Sequence, residues 1–429
     1  MPERANYEQL NILSDWDALP SPKIGRADRV GPYAWSRLYT GFSEAFAVGA
    51  TQLLTNPDAT TFLDPFAGAG TALIAAARLG HRVIGTDLDP VSALFARAAL
   101  AVAFDRERTR DLIGGAPSSD TWSGSADSCS MFAHADLAFA QGVFERIQEA
   151  VGIEGYALFS ELLNARAWDS EVVALAALLA SANDSAAVVR GSNPVWFRKA
   201  RKGEEVPQHP LADSTSAWLA RIERDVLGLN IQEVEATIYC GDFRQAPVEE
   251  DTVSTVLTSP PYLNRVDYVQ SHLAPLHLLS GLFGVELEPL RKQMMGTAKM
   301  VDKPEPLAEW GPTCIDTLER IRSHPSKASA SYYFPFFCQY FRDTAELIAF
   351  LKRVCMPGAE GAIVIQNSFY KEIPIPLVRI WSEMVASMDL TATEVRGEPV
   401  RQHLGTLSPS QKSWVKEKTL RESVILLEF

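Results

Sequence analysis

Apolar positions change period three times between residues 60 and 104. Thr61-Phe62-Leu63 is a short apolar run that predicts a strand, and the glycine-rich Asp64–Thr71 predicts a turn. Ala72–Leu79 is alanine-rich and apolar on successive turns, a helix stopped by Gly80. Arg82–Thr86 (RVIGT) predicts a second strand ending at Asp87, with a helix after it. This is a βαβ unit with parallel strands and a right-handed crossover. From 105 to 235 helical spacing takes over, as in Leu137–Val151, Leu158–Ala165 and Ser170–Ala182, and strand-like runs nearly vanish. Gly114–Ser130 reads as a loop or linker. Strand patterns return at Ala236–Cys240 and Thr252–Thr258, then at Ala362–Ile365 and Ser423–Phe429. Phe341–Val354 predicts an amphipathic helix stopped by Pro357-Gly358, and Pro376–Met388 predicts another. Residues 289–330 are rich in proline and charge, with weak periodicity, and predict a long functional loop.

Strands alternating with helices on both sides of a helical stretch predict one mostly parallel α/β sheet, interrupted once. The expected organisation is an N-terminal arm (1–28), a first half of the core (29–104), a helical insertion (105–235) and a second half (236–429). Composition agrees: of 429 residues, 47% are hydrophobic and 22% charged, as in a chain that buries a sizeable core. No apolar run approaches the roughly 18–20 residues that cross a bilayer, so no membrane partner is expected. The opening MPERANYEQLNILSDWDALP lacks the basic start and apolar stretch of a secretory signal. The five cysteines are scattered, without a C-x-x-C pair or a Cys/His cluster. Neither a metal site nor a disulfide framework is therefore expected, and a reducing cytoplasm fits. The net charge of −13 argues against a wholly basic binding face, which leaves a localised basic patch as the route to nucleic acid.

Two segments carry candidate chemistry. In Asp64-Pro65-Phe66-Ala67-Gly68-Ala69-Gly70-Thr71 the glycines let backbone approach a ligand, and the helix N-terminus that follows offers free N–H groups. Asp87, with Leu88 after it, ends the next strand, where an acid meets ribose hydroxyls in nucleotide-binding α/β folds. An acid at the first position of the turn would repel a pyrophosphate but suits the cationic S-adenosylmethionine. A turn that binds nothing, or one that binds a dinucleotide, is the competing reading.

The second segment is Ser259-Pro260-Pro261-Tyr262, at the end of the apolar run Val256–Thr258. Each proline fixes its own φ, lacks an N–H and restricts the residue before it, so the strand ends in a rigid turn. The amino lone pair of cytosine or adenine is delocalised into the ring and is a poor nucleophile. Ser259 Oγ and the Pro260 carbonyl, accepting the two N–H groups, would draw that nitrogen toward tetrahedral geometry. Tyr262 would stack on a base lifted from its helix. The plain alternative is a proline-rich loop with Tyr262 as packing.

DPFAGAGT (64–71), GTDLDP (85–90) and TSPPY (258–262) resemble the amino-methylating DNA methyltransferases of the N4-cytosine/N6-adenine class. RLYTGFS (37–43), with Phe42 and Ser43, is similar to that family's N-terminal cofactor segment. Gly241-Asp242-Phe243-Arg244 is similar to its strand-end acid, LNRVDY (263–268) to the continuation of its catalytic turn, and Pro357–Asn367 to its later core strand. The resemblance implies a Rossmann-like class I methyltransferase core with a mostly parallel seven-stranded sheet. It implies S-adenosylmethionine as methyl donor, with S-adenosylhomocysteine as product and no metal. Phe66, Gly68 and Gly70 would cradle the methionine part, Asp87 the ribose and Asp242 the adenine. The insertion would be the target-recognition domain. A serine opening the catalytic turn favours cytosine N4; adenine N6, an RNA amine, or a non-catalytic nucleic-acid-binding subunit are the alternatives. The implied partners are DNA and, by family analogy alone, a restriction or phage-defence nuclease.

For nucleic acid, RGSNPVWFRKARK (190–202) sets Arg190, Arg198, Lys199, Arg201 and Lys202 beside Trp196-Phe197. Basic residues next to aromatics suit phosphate contact beside a stacking group, and the plain alternative is a solvated loop, since Glu204 and Glu205 follow at once. Arg291 and Lys292, extended by Lys299 and Lys303, form a second candidate, and Asn264 and Arg265 follow the catalytic turn directly. His272 and His277 lack a metal-ligand set and are expected to pack or hydrogen-bond.

Overall fold

The computed structural model describes residues 12–25, 28–36, 41–54, 61–114, 122, 126–191, 196–263, 267–297, 299–300, 303–400 and 420–429. Seven strands form the main sheet: β1 (Thr61–Asp64), β2 (Arg82–Asp87), β3 (Ala236–Cys240), β4 (Val253–Thr258), β5 (Cys355–Gln366), β6 (Thr391–Val400) and β7 (Leu420–Glu428). Their spatial order is β6-β7-β5-β4-β1-β2-β3. The five strands from β5 to β3 are parallel, while β7 runs antiparallel to both β5 and β6.

Helices cover both faces. Successive residues of a strand point to opposite sides, and in β1 Phe62 and Leu63 accordingly enter two different cores. The first core gathers α1 (Glu44–Leu54), α2 (Thr71–Arg78) and α3 (Pro90–Ala99). The second is filled from α7 (Phe334–Val354) and the helix Leu377–Ala386.

The helical stretch joins the first core. Its longer members are α4 (Asp169–Ser185) and α5 (Leu211–Gly228), and α6 (Leu273–Phe283) packs among them from the second half. α4 is buried on nearly every side, so its sequence is apolar all round rather than striped. Arg97 on α3 and Asp169 at the start of α4 form an ion pair in which each side chain is 2% exposed.

Several sequence expectations are corrected. Residues 289–330 are not one loop: helices span Leu287–Gln293 and Pro312–Ser323, and the second hides a stripe of Cys314, Thr317, Leu318 and Ile321 among charged neighbours. α7 begins at Phe334, with Pro335 in its first turn, where a missing N–H does no harm. Pro357-Gly358 does not stop that helix. β5 has already begun at Cys355, and the pair lies in the register shift between Cys355 and Glu360. β6 escapes detection because most of its residues are half-exposed or exposed, without clean alternation. The central part of the expected loop Gly114–Ser130 lies outside the described residues, and Ala126–Cys129 is one helical turn.

Candidate active site

β1 and β4 are parallel neighbours, with Phe62 opposite Thr255 and Leu63 opposite Val256. The two bends picked out from sequence therefore leave the sheet at the same edge. The chain order reverses between these two strands, the place where open α/β sheets form their ligand crevice. Thr258 Oγ1 donates to Asp64 Oδ1 at 2.6 Å, and the Phe66 N–H donates to the same oxygen at 3.0 Å. One buried carboxylate thus fastens the head of the glycine-bearing bend to the root of the Ser-Pro-Pro-Tyr turn.

Within the first bend, Gly68 and Gly70 take φ of +51° and +81°, the left-handed region that side chains resist. A Cβ on Gly70 would lie 3.1 Å from both Cα and Cβ of Ala96 in α3, so the bend seats tightly there. A Cβ on Gly68 would meet only the Phe66 carbonyl, at 3.9 Å, so this side of the bend is open. The Gly68 N–H donates to Asp87 Oδ2 and the Asp89 N–H to Asp87 Oδ1, each at 2.8 Å. Thr86 Oγ1 donates to the Pro65 carbonyl and the Ala67 N–H to the Thr86 carbonyl, so the bend is laced to the end of β2. Thr71 is the buried first residue of α2, and Leu88 packs on the first core.

Burial pushes the Asp64 and Asp87 carboxyls up to about 7, and the neighbouring Asp89 charge adds to the effect on Asp87. Unfolded, both groups release their protons near the ordinary 3.8. Between those values the folded chain holds more protons, so its stability falls as pH rises from about 4 to about 7. The thermal midpoint of the ligand-free chain is expected to be higher at pH 5 than at pH 8, and Asp64→Asn should flatten that dependence. A midpoint that rises with pH across this window would contradict it.

Farther along the edge, Asp242 caps a short turn and accepts the Arg244 N–H at 3.0 Å. Its carboxylate also takes the Arg244 guanidinium, with Nε 2.8 and 2.9 Å from the two oxygens, and that guanidinium continues to Glu346 at 2.6 Å. Phe243 is buried edge-to-face against Phe66, with centroids 5.4 Å apart, and against Phe350. In the N-terminal segment, Ser43 donates to the Ser21 carbonyl at 2.6 Å and Phe42 packs against Phe46. Residues 37–40 of that motif lie outside the described residues.

On the second bend, Ser259 Oγ donates to the Val364 carbonyl of β5 at 3.1 Å and also lies within hydrogen-bonding reach of the Tyr262 hydroxyl. Pro260 is buried and Pro261 half-buried, and among the described residues no donor meets the Pro260 carbonyl. The half-buried Tyr262 hydroxyl donates to Glu422 Oε1 of β7 at 2.8 Å. Burial raises its pKa well above the ordinary value, so it stays a phenol. Sequence reasoning missed Glu422, because an acid inside a terminal strand carries no motif. Asn264 and Arg265 lie outside the described residues.

The two basic segments come together. Val188–Arg190 and Phe197–Lys199 form a hairpin, and the short helix Tyr268–Ser271 lies beside it. With its amide oriented to satisfy both partners, Gln270 donates to the Phe197 carbonyl at 2.5 Å and accepts from the Arg291 guanidinium. Much of the charge is already paired, however. Arg198 is bidentate on Glu204 at 2.8 Å, and Arg291 meets Asp267 at 3.2 Å and Glu288 at 2.9 Å. Arg190 lies over the Phe197 ring, 5.4 Å from its centroid, beside the half-buried Trp196. Lys199 is half-buried at the hairpin end, whereas Arg201, Lys202 and Lys292 are exposed.

His272, read from sequence as a packing or hydrogen-bonding residue, is fully engaged. Its ring bonds Asp89 Oδ2 through Nδ1 and Ser36 Oγ through Nε2, the latter at 2.7 Å. Among the described residues no group of three or more His, Cys, Asp or Glu side chains is placed to hold a metal ion. Nor is any helix among them long and apolar enough to cross a membrane.

No family model and no curated protein matches the chain. Among solved structures it is similar to the rRNA methyltransferase aviRa from Streptomyces viridochromogenes, at 12% identity and a TM-score of 0.28, over 98% of this chain and 94% of that one. It is also similar to a geranyl diphosphate methyltransferase in complex with GPP and sinefungin, at 10% identity and a TM-score of 0.30, over 98% and 95% of the two chains. The strand order, the reversed β7 and the bends at the β1 and β4 ends together make this a Rossmann-like fold of the class I methyltransferase type.

Proposed function

We propose that the chain transfers a methyl group from S-adenosylmethionine to the exocyclic amine of a DNA base, with cytosine N4 as the target. The observation that carries this reading is the Thr258–Asp64 hydrogen bond, which joins the bend suited to the donor to the turn suited to the amine. The residues present fit the donor. Gly68 leaves its side of the bend open to an approaching ligand, and its N–H is bonded to the Asp87 carboxyl. Gly68 and Gly70 would hold the methionine part and Asp87 the ribose. When bound, the donor supplies a methyl group activated by its sulfonium.

The chain's own residues do the rest. Ser259 Oγ, its O–H directed at the Val364 carbonyl, accepts one N–H of the amine, and the Pro260 carbonyl accepts the other. Both bonds pull the nitrogen out of conjugation, so that its lone pair becomes available. Tyr262, its hydroxyl anchored on Glu422, offers a ring face for a flipped base. The exposed Lys202 and Lys292 would add phosphate contacts.

Incubating the purified chain with methyl-labelled donor and genomic DNA is expected to place label on N4-methylcytosine. Label in RNA alone, or in neither nucleic acid, would refute the proposal. Because Arg198 and Arg291 are already paired with acids, the binding of DNA should depend on salt less steeply than the number of basic residues suggests. A log–log slope steeper than about −5, the value for five to six neutralised phosphates, would contradict that.

A further inference from the structure

We propose that His272 is a positioning residue for Asp87, acting through Asp89; the inference rests on the proposed role of Asp87 in holding the methyl donor. The chain of contacts is continuous. His272 Nδ1 bonds Asp89 Oδ2, Asp89 Oδ1 caps α3 by accepting the Val91 N–H at 2.9 Å, and the Asp89 backbone N–H donates to Asp87 Oδ1 at 2.8 Å. Asp87 Oδ2 meanwhile takes the Gly68 N–H. Both oxygens of the ribose-facing acid are thus aimed by backbone donors, and the position of one of them depends on how the Asp89 side chain is held.

The imidazole has one role at each nitrogen. Asp89 is a carboxylate and only accepts, so Nδ1 carries the hydrogen. Nε2 is hydrogen-bonded with the Ser36 hydroxyl, at 2.7 Å. The Phe95 ring on α3 closes over the imidazole edge-to-face, with centroids 6.5 Å apart. The sequence of groups is that of a nucleophilic triad. Here, though, His272 is 1% and Ser36 9% exposed, so no substrate reaches them, and the arrangement orients rather than attacks.

His272 also stands at the start of α6, the first long helix after the Ser259–Tyr262 turn. The same side chain therefore ties the chain that leaves the Ser259–Tyr262 turn to Asp89, two residues beyond the acid proposed to hold the ribose.

The two nitrogens can be tested separately, because an asparagine amide reaches the place of Nδ1 and a glutamine amide the place of Nε2. Calorimetric titration with S-adenosylmethionine is the readout, with thermal unfolding of each variant as the control for folding. His272→Asn and Ser36→Ala are expected to bind within about threefold of the unaltered chain. His272→Gln is expected to bind about tenfold more weakly or worse, the loss that removing one hydrogen bond to a charged group brings. Glutamine binding as tightly as asparagine overturns the proposal. So does a tenfold loss in His272→Asn or Ser36→Ala, which decides the matter even where His272→Gln fails to fold. Absence of binding by the unaltered chain overturns the reading of Asp87 itself, a result distinct from any difference among the variants.

Discussion

Replacing Ser259 by alanine is expected to lower the turnover of methyl transfer about 10²–10³-fold, the range seen when one preorganised polar contact to a reacting group is removed. The hydroxyl donates to the Val364 carbonyl in the structure, so what alanine removes is an acceptor held in a fixed direction. The bend proposed to hold the donor is laced separately to Thr86 and Asp87, and its affinity for S-adenosylmethionine should stay within about twofold. Turnover at saturating donor and calorimetric affinity, measured on the same preparation, separate the two effects. Retained turnover would show that the amine is gripped elsewhere. Tyr262→Phe keeps the ring but frees it from Glu422, and should lie between the unaltered chain and Tyr262→Ala.

Arg97→Ala is expected to destabilise the fold by about 3–5 kcal/mol, because it leaves the Asp169 carboxylate buried without its cation. Arg97 also donates to the Ala165 carbonyl at 3.3 Å, and Asp169 accepts the Ala103 N–H at 3.0 Å, so the pair anchors α4 to the connection after α3. Adding Asp169→Leu to Arg97→Met removes both charges and should recover most of the loss, since a well-packed apolar pair replaces a buried ion pair at little net change. Urea denaturation of the single and double variants measures both numbers. A single variant within about 1 kcal/mol of the unaltered chain would show that the charge finds water or another partner.

Apart from β6, the sheet was legible because its strands carry the 3.6-to-2 change of period directly, and glycines or prolines mark where β1 and β4 must turn. The candidate bends were legible for the same reason: φ above zero at Gly68 and Gly70, and two successive prolines at 260 and 261, are local demands. What stayed hidden depends on distant partners. Glu422 lies 160 residues from the tyrosine it anchors, and His272 lies 183 residues from Asp89. For the basic segment 190–202 the neighbouring Glu204 was visible in the sequence, but not that it would close on Arg198 with both oxygens. α7 was read seven residues short because its aromatic start, Phe334-Pro335-Phe336-Phe337, is apolar on all sides and shows no stripe.

The place of β7 has a consequence for synthesis on the ribosome. β5 and β6 are both translated before the strand that must slot between them. Until it emerges, one edge of β5 and both edges of β6 are unpaired, because β7 is the neighbour through which β6 joins the sheet. Such edges template wrong pairings with other chains. Polypeptides terminated before Leu420 are therefore expected to collect in inclusion bodies, or to depend on chaperones, rather than to persist as a smaller folded chain.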